Sequence, residues 1–130
     1  MKDNTASPEV EAAFTELLAL AGETLDNAPE TDMSQAIALR TAAGSTHAFF
    51  TTLAELPAAE ERILAALTAG GDTQVSFLVA LWESRCVDLP AYSLREKLIA
   101  LDRRNLETLL VLQGEGHLSV RTLGSTMAGQ

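Results

Sequence analysis

A single cysteine, Cys86, stands in 130 residues, so no disulfide closes within the chain and no cluster of thiolates holds a metal. Histidine is nearly as scarce: His47 and His117 are far apart in sequence, without the short spacing that metal ligands need. No acidic loop has calcium spacing. No metal and no cofactor is therefore expected. Basic residues are outnumbered, 9 Lys and Arg against 18 Asp and Glu, for a net charge of −9. Affinity for phosphate backbones comes mostly from neutralising phosphates, so nucleic acid is not an expected partner. Long apolar runs are missing too: nothing approaches the roughly 20 residues of a membrane-spanning helix, and MKDNTASPEVEAAF has no signal-peptide run. A cytoplasmic protein without a membrane partner is expected. The glycine pairs in AGGD and GEG lack the spaced glycines and following lysine of a phosphate loop and read as helix stops.

What is present favours helix. Hydrophobic residues make up 47% of the chain and aromatics only 5%, a composition rich in Ala and Leu and long enough for one domain with its own core. Residues 1–130 read as a single helical domain with flexible ends at 1–6 and 122–130. Ser7-Pro8-Glu9 starts a helix with a capping hydroxyl, proline in the first turn and acids at the positive dipole end. Its apolar face, Val10, Phe14, Leu17, Leu18, Ala21 and Leu25, runs until Ala28-Pro29. Thr31 or Asp32 caps a second element over Met33 to Glu55, read as one bent helix or two stacked ones around Gly44-Ser45. Pro57 restarts a helix that stops at Gly70-Gly71. Asp72 caps the next, on which Val75, Leu78, Val79, Trp82 and Cys86 recur at helical spacing; QVSFLVALW is also compatible with a buried strand. A thiol on that stripe is a buried hydrophobe, so no catalytic residue is assigned and the chain reads as more a binding protein than an enzyme.

The clearest start signal lies at Ser93, with Glu96 three residues on, a capping box. From there SLREKLIALDRRNLETLLVLQ is expected as a long C-terminal helix to Gln113. Leu94, Leu98, Leu101, Leu109 and Leu112 make one stripe and Ile99, Leu106 and Leu110 a second beside it. A hairpin pairing Leu109–Gln113 with His117–Thr122 across GEG competes with the last turn of that helix. The fold expected is all-α, an antiparallel bundle of four to five helices.

Two resemblances rest on this stretch. Leu94-Arg95, Leu101-Asp102 and Leu109-Leu110 resemble the first helix of the helical chorismate mutases, which implies an enzyme or a catalytically dead relative with a carboxylate bound by Arg95; Asp102 and Asn105, polar residues of the same stretch, are candidate ligand-binding residues with it. Leu101-Asp102-Arg103-Arg104-Asn105-Leu106 resembles the C-terminal helix of the flagellar type III export chaperones. That second resemblance implies a small acidic chaperone whose partner surface, Ile99, Arg103, Leu106 and Leu110, receives an amphipathic helix of a client. Without a client the same patch favours a homodimer, and a homo-oligomeric structural subunit is a third reading.

Overall fold

The computed structural model describes residues 7–29 and 33–127; the expected loose arm at 1–6, the caps at Thr31 and Asp32, and the tail beyond Met127 lie outside them. The first helix, α1, spans Pro8–Asp26, with the Ser7 hydroxyl accepting from the Val10 N–H at 3.2 Å. It buries Ala13, Phe14, Leu17 and Ala21 and leaves its acids in water.

Between Met33 and Glu55 there is no bent helix. The chain forms an antiparallel hairpin of β1 (Ser34–Thr41) and β2 (Thr46–Thr52), in register from Ser34 opposite Thr52 to Arg40 opposite Thr46. Gly44, at φ 97°, makes the turn where a helix kink was expected. β1 is buried on both faces: Ala36 and Ala38 pack beneath α1, while Ile37 and Leu39 join the opposite core. A strand covered on both sides loses the apolar-polar alternation that marks strands, and its alanines imitate a helix.

The helix after Pro57 forms as expected: α2 spans Leu56–Gly70 and ends on left-handed Gly71 at φ 70°. The next expected helix does not. Val75–Trp82 is β3, paired antiparallel to β1, and short β4 (Val87–Asp88) folds back onto its end. Asp72 accepts from the Ala43 N–H at 3.0 Å instead of capping a helix. Cys86, expected in a core, is exposed in the turn between β3 and β4.

The long C-terminal helix is also corrected. α3 covers only Tyr92–Leu101, and the chain leaves it at Asp102, which is extended at φ −157° and ψ 114°. A 3-10 segment over Arg103–Glu107 follows, then β5 (Leu109–Gln113) and β6 (Leu118–Thr122), joined through Gly116 at φ 76°. The hairpin that competed with the helix's last turn is the structure that forms. β5 runs parallel to β3, and α3 is the crossover between them. Among the described residues the sheet has six strands, in the order β2-β1-β3-β5-β6 with β4 beside β3.

This is a three-layer α/β structure, not an antiparallel all-α bundle. α1 covers one face with Phe14, Leu17 and Ala21 on Val79, Val111 and Val120. α2 and α3 cover the other, where Ile63, Leu67, Leu94 and Leu98 meet Ile37, Leu39, Leu78 and Leu110. Leu123 and Met127 close that second core, so the described part of the expected flexible tail is packed.

Candidate functional site

The strand directions bring the starts of α2 and α3 to one corner. Ser34 at the start of β1 lies opposite Thr52 at the end of β2, and Gln35 lies opposite Trp82 at the end of β3. α2 leaves from that end of β2 and α3 from that end of β3, by way of β4. In open α/β sheets, ligands gather beyond the carboxyl ends of such strands.

Glu60 stands in the first turns of α2 with its side chain only 3% exposed. A carboxylate so enclosed is stable only with partners, and both come from α3. The exposed Ser93 donates its hydroxyl to Oε2, and Lys97, one turn further on, donates to Oε1 at 2.9 Å. The hydrogen bond to Glu60 is the first cause of a Lys97 pKa above the ordinary lysine value, with Glu61 adding a longer contact at 3.4 Å. Ser93 therefore serves the neighbouring helix, not a capping box; α3 starts after Ala91 without a side-chain cap.

Gln35 lies at the same end of the sheet. Strand alternation puts it on the face of Ile37 and Leu39, beneath α2 and α3. It is 2% exposed, and its Oε1 has no hydrogen-bond partner among the described residues. The exposed large apolar side chains of the described residues, Met33, Leu53 and Tyr92, all belong to this end as well. Met33 precedes β1 and accepts from the Leu53 N–H, which follows β2, and Tyr92 opens α3.

The residues singled out in the sequence go elsewhere. Arg95 is buried; its Nε donates to the Pro90 carbonyl at 2.9 Å and Nη1 to the Thr126 carbonyl at 3.1 Å. Burial lowers its pKa from the ordinary arginine value, and its guanidinium carbon sits 5.5 Å from the Tyr92 ring centre. The carboxylate expected there is replaced by backbone carbonyls of its own chain. Asp102 accepts from Thr73 Oγ1 at 2.9 Å and from Arg104, whose hydrogen bond is the main reason its carboxyl lies well below the usual range. Asn105, fully buried, accepts from the Val75 N–H at 2.7 Å and donates to the carbonyls of Thr73 and Leu98. It fastens α3 to the start of β3.

Ile99, Leu106 and Leu110 share no face: Ile99 is on α3, Leu106 on the 3-10 segment against Gly124, and Leu110 is fully buried in β5. Arg103 is exposed at the start of the 3-10 segment. In the sequence Ser93 stands out only as a helix cap, and Glu60, Lys97 and Gln35 do not stand out. Their one available signal was local, a glutamate just inside a proline-started helix and a second proline, Pro90, just before another.

No protein-family model matches the sequence, and no curated protein matches it. Solved structures do match. Cytidine deaminase from Burkholderia pseudomallei aligns over 88% of this chain and 96% of its own at TM-score 0.63 and 18% identity. The enzyme from Mycobacterium leprae covers 88% and 97% at 0.65 and 15% identity. That from Mycobacterium tuberculosis covers 89% and 94% at 0.62 and 16% identity.

The chain has the cytidine deaminase fold.

That finding overturns the resemblances to flagellar chaperones and to chorismate mutases, both of which required helices where this chain has a sheet. The helical binding module loses its basis with them, since the chain is an α/β structure, and the reading away from an enzyme is contradicted by structural neighbours that are enzymes of that fold. Among the described residues no helix is long and apolar enough to cross a membrane.

Zinc deaminases hold their metal on a His-x-Glu and Pro-Cys-x-x-Cys signature, in which the glutamate is not a ligand. Glu60 and Pro90 can be laid on the glutamate and the proline of that pattern. The ligand positions then fall on Ala58, Ala91 and Leu94, two methyl groups and an isobutyl group without a donor atom. Leu94 is 1% exposed and part of the apolar core. The Lys97 ammonium on Glu60 adds a positive charge where a divalent cation would be repelled. Among the described residues no three His, Cys, Asp or Glu side chains gather closely enough to hold a metal ion. The residues present do not fit a zinc ion at this corner.

Proposed function

We propose that the protein acts on a nucleobase-like ring bearing an amine, bound at the corner where α2 and α3 begin, with Glu60 as its acid–base group and no metal in the step. The observation that carries this reading is the enclosed Glu60 carboxylate, facing the start of α3 in a deaminase fold. A carboxylate offers two acceptor oxygens, which suits adjacent donors such as a ring N–H and an exocyclic amine. Ser93 is exposed, and its hydroxyl can rotate away, so a ligand N–H can take over Oε2 while Lys97 keeps Oε1. Gln35 Oε1, on the same face of the sheet, is an acceptor without a hydrogen-bond partner among the described residues. Met33, Leu53 and Tyr92 supply apolar surface for the flat faces of a ring. The chemistry available to these side chains is proton transfer by a positioned carboxylate.

Because the structural neighbours are cytidine deaminases, cytidine and cytosine are the compounds to test, against uridine and uracil, by NMR titration with chelator present. The aminated rings are expected to bind and their oxo counterparts to bind more weakly. Glu60→Gln is expected to weaken the aminated pair at least about tenfold, the loss of a charge-assisted hydrogen bond. Absence of any shift with all four compounds at millimolar concentration, or equal binding by Glu60→Gln, contradicts the proposal.

A further inference from the structure

We infer that Glu60, Ser93 and Lys97 together replace a metal as the tie between α2 and α3, with Lys97 supplying the positive charge at this corner. In a zinc deaminase, the ligand beside the glutamate and the two ligands after the proline lie in different segments of the chain, so the ion is a cross-link. The corresponding positions here, Ala58 on α2 and Ala91 and Leu94 at the start of α3, cannot make that link. The same two helix starts are joined by other chemistry. Ser93 and Lys97 stand four residues apart on α3 and so point the same way, and both donate to the one carboxylate of Glu60.

The charges fit this assignment. A carboxylate with 3% of its side chain exposed needs a cation, and the Lys97 ammonium, itself 37% exposed, is the cation in contact with it. Arg95 is not available for that role, since its donors are directed at Pro90 and Thr126. Leu94 meanwhile fills a ligand position with apolar bulk and contributes to the core with Leu98 and Ile63. The site has exchanged a metal-centred link for a hydrogen-bonded ion pair over a leucine.

This inference rests on the fold and the corner's residues and needs no bound ligand, so a failure of nucleobase binding leaves it intact. It is tested by thermal unfolding of the full chain with zinc and with chelator. The wild-type melting temperature is expected to be the same in both. Lys97→Met is expected to lower it by about 5 °C or more, since it leaves an enclosed carboxylate without its cation, and Ser93→Ala by a smaller amount. Because the first of these could fail to fold, the complementary variant restores the ligands: A58C with A91C and L94C is expected to bind zinc and to become sensitive to chelator. A wild-type melting temperature that falls on chelation, or Lys97→Met and Ser93→Ala both unfolding at the wild-type temperature, overturns it.

Discussion

Asn105 shows how much one side chain can do in this molecule. It is fully buried, and its amide satisfies the Val75 N–H and the carbonyls of Thr73 and Leu98. The hydroxyl of Thr108, just beyond it, donates to the Val75 carbonyl at 2.7 Å. The first residue of β3 is therefore held by side chains at both its backbone groups. Asn105→Ala removes the shared partner and strands buried polar groups, each worth about 1–3 kcal/mol when left unpaired. Allowing for relaxation, the expected loss is about 3 kcal/mol, read as a lower urea midpoint with an unchanged slope. A loss below about 0.5 kcal/mol, the size typical of a surface change, would show that water replaces the amide. Glu60 belongs to the same scale. Neither residue is special as a type; each matters because the fold encloses it and gives it partners from another element.

At the scale of the elements, Asp102 decides where α3 ends. Its carboxylate accepts from the Arg104 N–H at 3.0 Å and from Thr73 Oγ1, which favours an extended residue followed by a 3-10 turn over continued helix. The leucine pattern runs on past this point, and pattern alone makes Ser93 to Gln113 look like one helix. The break is chemical rather than periodic: an Asp that caps the next segment stops the present one. Because the carboxyl pKa is depressed by Arg104 in the folded state, Asp102 contributes stability above the ordinary aspartate pKa of about 3.9. That contribution is lost as pH falls below it towards the folded value. Arg104 is exposed, so the effect is modest. Asp102→Asn is expected to be less stable than wild type at pH 7, with the gap closing towards pH 2, as read from urea midpoints across that range. A gap that stays constant with pH would assign the effect to shape and not to charge.

The whole molecule explains which parts of the sequence are readable. α1 and α2 carry their own signals, Ser7-Pro8 and Pro57 at the starts and Gly71 at one end, and each buries a single face. β1 and β3 lie in the middle of a sheet covered on both sides, so Ile37 and Val79 stand next to buried alanines and no polar alternation survives. β5 is legible only as half of a hairpin around Gly116, against the stronger helical pattern before it. Glu60, Ser93 and Lys97 are unreadable as a group because residues 60 and 93 meet only once a sheet puts the two helix starts side by side. No His-x-Glu or Pro-Cys-x-x-Cys run draws attention to that corner in the sequence.

In this deaminase fold the corner where α2 and α3 begin holds Glu60 with Ser93 and Lys97, and its side chains do not fit a metal. The most direct test is elemental analysis of the full chain, purified without chelator from zinc-supplemented medium and dialysed against metal-free buffer. Zinc is expected far below one ion per chain in a folded protein that shows a single cooperative unfolding transition. Zinc retained at one ion per chain would contradict this.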